Sequence, residues 1–299
     1  MNAKSERKIQ TALLGAVESS KAGEYLLMGN WNYQPVEPEN ITCCIVAVDA
    51  TQTELKWQVK YSIKVWVTVI GMVSRDCYWL GTVDGEVIRV QGESRQTFKT
   101  DIENAIGSLW IQNSDDFWFV HDQGVSHWKE GKVIKSVLKG WFNDIHGLGP
   151  NFAVAAGAAG KVIQFDGKDW REIESTPTNT MLVSVFCASK KEIYIGGWNG
   201  VLFQWDGKDS WNRIDIVSDK GIVTDEGVYG IVSYLGQIFV GAGARGVYKI
   251  DGKKALKVHT AYSSRLNIVD EKLLVTGLDS FAEFDGKEWR TVSVKLPQI

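Results

Sequence analysis

A pattern of four short apolar runs recurs along this chain of 299 residues, and it limits the possible folds more than any other feature. Residues 144–214 hold two consecutive copies: an apolar run, a polar turn, a second run ending in Gly, a third run, then Asp-Gly and a fourth run bearing Trp. The Gly that opens the last hairpin falls at Gly92, Gly131, Gly167, Gly207, Gly252 and Gly286, with Ala50 in that place in the first copy. The spacings are 42, 39, 36, 40, 45 and 34. A period near 40 residues with four strand signals in each copy is that of propeller blades, whereas helical solenoids would show helical periodicity. The chain therefore reads as all-β, a β-propeller of seven four-stranded blades in a single domain spanning 1–299. The blades fall at about 10–62, 63–103, 104–140, 141–178, 179–220, 221–261 and 262–299. Six blades are the alternative if residues 1–60 form an irregular cap, because the first copy carries the insertion NYQPVEPEN, rich in Pro and acid.

The repeated Asp-Gly pair suits a tight hairpin that needs positive φ. The glycines of the second runs (Gly196, Gly197, Gly241, Gly243) suit close backbone approach near a crowded axis. Residues 3–14 carry helix-favouring Ala, Leu, Lys and Glu, yet the run TALLGAV (11–17), which overlaps them, also aligns with the first strand of the repeat.

Composition narrows function. A net charge of −3 with thinly spread Lys and Arg supplies no basic stripe for phosphates, so no nucleic-acid partner is expected. No apolar stretch reaches the length of a membrane span, and no membrane partner is expected. Lys4, Arg7 and Lys8 ahead of TALLGAV faintly imitate a signal peptide. The run is only seven residues and no A-x-A-like site follows, so a cytoplasmic location is expected. Cys43, Cys44, Cys77 and Cys187 lack C-x-x-C spacing and read as buried free thiols in a reducing compartment.

The string G-x-x-G-x-V-x-x-F-D-G-x-x-W at Gly157–Trp170, with relatives at Gly197–Trp211 and Leu278–Trp289, resembles the degenerate bacterial β-propeller repeats with a D-G-x-x-W hairpin. It is also similar to the Asp-box repeats of sialidases and to tectonin-type propellers. The Asp-box itself is not matched, since Gln164 or Gln204 stands where its Ser would be. The resemblance implies a propeller and leaves function to the residues that break the repeat.

Catalytic constellations find no support in the sequence. Asp166, Asp206, Asp251 and Asp285 occupy equivalent hairpin positions, which makes them fold requirements before anything else. His121, His127, His146 and His259 lie in different copies without ligand spacing, so neither a metal nor another cofactor is expected. Recognition is expected on the face built by the loops between second and third strands and by the segments linking blades. The first kind supplies Trp31, Tyr33, Asp84, His121, Asp122, Trp198, Arg245 and Asp279. The second supplies Trp141, Asp144, Asp225, Glu226, Tyr262 and Arg265. Aromatic, Arg and acidic residues gathered on one rim have the composition of a protein-binding hot spot. The expected function is non-enzymatic binding of another protein by a monomer, one concrete case being a bacterial immunity protein that blocks a toxin. A carbohydrate-binding lectin is the alternative, with a sialidase-like hydrolase behind it.

Overall fold

Alternation of apolar residues puts the strands into sheets, and the Gly-bearing turns fold each sheet back on itself. The computed structural model describes residues 9–33, 41–51, 56–137, 139–278 and 280–293. Blade one is β1 (Ile9–Glu18), β2 (Glu24–Tyr33), β3 (Ile41–Asp49) and β4 (Lys56–Ile63). Blade two is β5 (Val67–Ser74), β6 (Cys77–Thr82), β7 (Glu86–Gln91) and β8 (Ser94–Lys99). Blade three is β9 (Ile106–Asn113), β10 (Asp116–His121), β11 (Gly124–Lys129) and β12 (Lys132–Val137). Blade four is β13 (Phe142–Gly147), β14 (Ala153–Gly157), β15 (Val162–Phe165) and β16 (Trp170–Glu172). Blade five is β17 (Leu182–Ser189), β18 (Glu192–Gly197), β19 (Leu202–Trp205) and β20 (Trp211–Arg213). A hairpin, β21 (Asp215–Ser218) and β22 (Gly221–Ile222), precedes blade six, which is β23 (Gly230–Tyr234), β24 (Gln237–Gly241), β25 (Val247–Asp251) and β26 (Lys254–His259). Blade seven is β27 (Arg265–Val269), β28 (Lys272–Thr276), β29 (Ser280–Phe284) and β30 (Trp289–Ser293).

Within each blade the four strands pair antiparallel in sequence order, giving the seven-bladed propeller that the period implies. The first strands line the central channel and each touches the first strand of the next blade, β27 meeting β1 to close the ring. Second strands are sandwiched between neighbouring blades: β6 and β14 are buried along their whole length. Fourth strands face water on one side, so β4 alternates exposed and half-buried residues and β8 is almost wholly exposed.

The core is divided among the seven junctions between blades. Trp79, Phe117, Phe119 and Trp128 fill the junction of blades two and three. Trp110, Trp118, Phe165 and Trp170 fill the next, and Trp205 and Phe203 the one after. Most of the chain's Trp thus pack sheet against sheet, where a large rigid ring buries the most apolar area. The ring closes without a shared strand among the described residues. Leu13 N–H donates to Gly277 O at 2.9 Å, Tyr25 packs edge-on against Phe281, and Arg75 bridges Glu18 and Asp270 at 2.9 and 2.8 Å.

The six hairpin glycines aligned in the sequence all adopt positive φ. Three of the four aligned aspartates, Asp166, Asp206 and Asp285, accept two backbone N–H bonds each from the turn that follows. These donors hold the three carboxyls below the usual range. Asp251 departs from this pattern, because β25 and β26 continue their pairing through Asp251 and Lys254.

Several expectations are corrected. Residues 9–14, given helical propensity, lie in β1, where pairing with β2 overrides local preference. The glycines of the second strands do not serve the axis, which belongs to the first strands. A Cβ at Gly196 would collide with Val228 and one at Gly241 with Ser263, so they serve contact with the next blade. Residues 215–222 do not extend blade five. β21 pairs in parallel with the outer strand of blade six, and Ile214, Ile216 and Val223 cap the core between the two blades.

Candidate interaction face

An inner strand has a neighbour on one side only, so its other edge presents backbone groups that need partners. Polar side chains supply many of them at the junctions. Asn30 Nδ2 donates to Val67 O at 2.6 Å, and Thr68 Oγ1 to Ile106 O at 2.5 Å. The Ser108 hydroxyl reaches Asp144, which accepts from Val185 N at 2.8 Å. Asn143 donates to Leu182 O at 2.7 Å, and His146 Nδ1 accepts from Cys187 N at 3.2 Å. Ser184 Oγ donates to Val228 O at 2.7 Å, Arg265 Nη1 to Tyr229 O at 2.9 Å, and Asn267 Oδ1 accepts from Ala16 N at 3.2 Å.

Asp144 and Arg265 therefore belong to the channel wall, where they brace one blade against the next, and not to the exposed loops expected from the sequence. Both fall inside first strands that begin before the rim is left behind. Burial pushes the Asp144 carboxyl upward, and the charge of Arg265 works against that shift. Burial lowers His146 to about 4, so it is neutral at pH 7 and its ring nitrogen is free to accept.

Above the wall, the expected rim residues divide. Trp31 and Tyr33 end strand β2, paired with β1 and β3, and do not lie in a loop. His121 is buried at the end of β10, bonded to Ser126 Oγ at 2.9 Å and to Gln123 N at 3.2 Å, with its pKa lowered by burial. Asp279 lies outside the described residues. Asp84, Asp122, Trp141, Trp198 and Asp225 are exposed on the loop-rich face, with Glu226, Arg245 and Tyr262 half-buried among them.

The structure brings Asp225, Glu226, Arg245 and Tyr262 together where blades five, six and seven meet. Asp225 forms an ion pair with Arg245. Glu226 accepts from Gly227 N, Ala244 N and the Tyr229 hydroxyl at 3.0–3.1 Å, and its charge raises the hydroxyl pKa of Tyr262 after burial has done so. The Trp198 loop joins this group, since Gly200 N donates to Glu226 O at 2.7 Å.

Among the Trp side chains described, three are exposed: Trp66 at 39%, Trp141 at 52% and Trp198 at 49%. All three stand on the loop-rich face. Their backbones are fixed, Trp66 O and Trp141 O accepting from Val83 N and Ala158 N at 2.9 Å, and Trp198 N donating to Met181 O at 3.0 Å. Trp66 was not singled out from the sequence, because Val65-Trp66-Val67 reads as the start of an apolar strand. The departure of the chain from blade one just before it is the only signal. At the channel mouth is a cavity of about 560 Å³ whose lining includes Asp122, Trp141, Asn104, Tyr229 and Arg265.

On the opposite side, a crevice of about 510 Å³ between blades one and two was not flagged by the sequence. Its buried Glu24 is already met by Ser19 at 2.8 Å and by Lys21 and Lys60 at 3.6 Å. Among the described residues no group of three or more His, Cys, Asp or Glu is placed to hold a metal ion, and no helix is long and apolar enough to cross a membrane.

No family model matches the chain. Its sequence is similar to an immune protein. Over 156 residues, half of the chain, it is 28% identical to the immune protein Tsi7 of Pseudomonas aeruginosa, and it spans about half of that protein's length (48%). Among solved structures, the WD40 β-propeller domain of Doa1 superposes with a TM-score of 0.72 at 12% identity, covering 94% of this chain and 98% of that one. U3-55K superposes with a TM-score of 0.67 at 11% identity, covering 90% and 91%. PorZ of Porphyromonas gingivalis, a surface component of its type-IX secretion system, gives 0.62 at 12% identity, covering 96% of this chain and 38% of that one. At such identities these structures speak for the fold alone.

Proposed function

We propose that this chain is a non-enzymatic propeller that grips another protein with its loop-rich face, and that it acts as an immunity protein against a toxin. The observation that carries this reading is the placement of the exposed tryptophans. The three Trp side chains described as exposed, Trp66, Trp141 and Trp198, open onto one face, and Trp141 lines the mouth of the channel. A large, rigid ring left half in water is costly to leave uncovered and well suited to anchor a partner. The similarity to an immune protein supplies the kind of partner. Action in the cytoplasm as a monomer accompanies this proposal, and four buried free thiols suit a reducing compartment.

Sugar binding by repeated sites would need the same aromatic in the same place in several blades. Here Trp66 and Trp141 lie in blade-linking segments and Trp198 in a loop between second and third strands, so no two neighbouring blades offer an equivalent pair.

The test is recovery of the partner from the native cell with a tagged chain, followed by titration of the purified partner. The reading predicts a stable complex with a neighbouring gene's product, and rescue of cells from that product's toxicity. A chain that runs alone and gives no rescue contradicts it.

A further inference from the structure

The acids of the loop-rich face fall into two groups that differ in what meets them. At blades five to seven, Asp225 is paired with Arg245, and Glu226 is met by two backbone N–H groups and a tyrosine hydroxyl. At blades two and three, Asp84, Asp101, Glu103 and Asp122 are exposed, and none takes part in a hydrogen bond or ion pair among the described residues. Two of the exposed tryptophans bracket this second group, Trp66 in the segment before blade two and Trp141 in the segment after blade three. The channel mouth opens beside it. The one cation in the lining of that cavity is Arg265, which is turned to Tyr229 O. Lys64 and Lys139 stand at the two ends of the arc, outside the brackets.

We infer that the partner seats on this sector, from Trp66 round to Trp141, and that it does so with a cationic loop whose arginine or lysine side chain has apolar neighbours. The inference rests on the loop-face reading above. Covering four unpaired carboxylates with a neutral or acidic surface would strip their water without replacement, a cost that a cationic surface offsets. The same cation can lie against an indole face while its aliphatic stem packs on the ring, so Trp66 and Trp141 favour the same occupant that the acids do. A cavity of about 560 Å³ is large enough to take long side chains at the mouth. The sector around Trp198 lacks this demand, because its acids are already satisfied within the chain.

The test follows the indole N–H signals of Trp66, Trp141 and Trp198 by NMR on the full chain. The probe is acetyl-Leu-Arg-Lys-Leu-amide, with acetyl-Leu-Glu-Glu-Leu-amide as control. The expected result is saturable shifts at Trp66 and Trp141 with the basic peptide, with binding about tenfold weaker for the acidic peptide and for the basic peptide on Asp84→Asn/Asp122→Asn. Raising salt on the unaltered chain is a second measurement, since exposed charges are screened within about 10 Å at 0.1 M. Equal shifts from both peptides, shifts confined to Trp198, or binding indifferent to salt overturn the inference. With the partner recovered from cells, loss of affinity for Trp198→Ala but none for Asp84→Asn/Asp122→Asn overturns the sector and leaves the loop-face reading standing. Affinity unchanged by either variant overturns both.

Discussion

Arg265 in the channel wall and Arg245 on the rim above it come from adjoining blades, yet they do different work. Arg265 spends a donor on Tyr229 O, tying blade seven to blade six, and its charge offsets the burial of Asp144. Arg245 lies at the surface and forms its ion pair with the exposed Asp225. The same contrast divides the tryptophans: Trp128 and Trp205 are buried between sheets, while Trp66, Trp141 and Trp198 stand half in water on fixed backbone. Residue type alone thus says little about role in a propeller. What decides is whether the side chain sits on a strand that must meet the next blade or on a segment that has left it.

The largest expected effect lies between blades. Trp170 is buried against Trp118 and Phe165, and Trp170→Ala should cost about 3–5 kcal/mol in unfolding free energy, measured by denaturant titration. Partner binding should then fall only as far as the folded population does. A silent Trp170→Ala would break the division between packed and presented tryptophans.

In the wall, His146 makes stability depend on pH. Its folded pKa of about 4 lies below the unfolded value near 6.5, so between these values the unfolded chain binds more protons. The contribution is present above about pH 6.5 and is lost as pH falls toward 4, up to about 3 kcal/mol. The raised carboxyl of Asp144 acts with the opposite sign, because the folded chain takes up that proton first. His146→Gln should therefore flatten the loss of stability on acidification, read from melts across pH 4–7. An unchanged slope would place the responsible group elsewhere.

The two arginines sharpen the contrast further. Arg265→Met removes a bond to the part-buried Tyr229 carbonyl and the cation beside Asp144, and should cost about 1–3 kcal/mol. Arg245→Ala should leave the melting temperature nearly unchanged, as surface substitutions do. Equal costs would mean that wall and rim are not distinct in the way their contacts imply.

Legibility in the sequence follows the same line. Asp166, Asp206 and Asp285 could be read because a turn imposes its chemistry on every blade in which it recurs. Asp144 and Arg265 could be found as residues that break the repeat. Their place in the wall could not be read, since a shift of a few residues in the start of a first strand moves a side chain from rim to channel. Trp66 was hidden by the alternation that continues through it. The place of β21 was hidden because residues 215–217 pair with a strand more than thirty residues further on, through a parallel contact that leaves no local pattern. Where all these residues hydrogen-bond depends on the neighbouring blade, and one blade's sequence does not contain its neighbour's.

The most direct test of the presented face is hydrogen exchange on the chain with and without its recovered partner. Protection is predicted in the segments around Trp66, Asp84, residues 100–105, Asp122 and Trp141, with Trp66→Ala/Trp141→Ala weakening binding by about 2 kcal/mol or more, some thirtyfold, at an unchanged melting temperature. Protection confined to the hairpins at 166–169, 206–210 and 285–288, on the far side of the ring, would contradict the account.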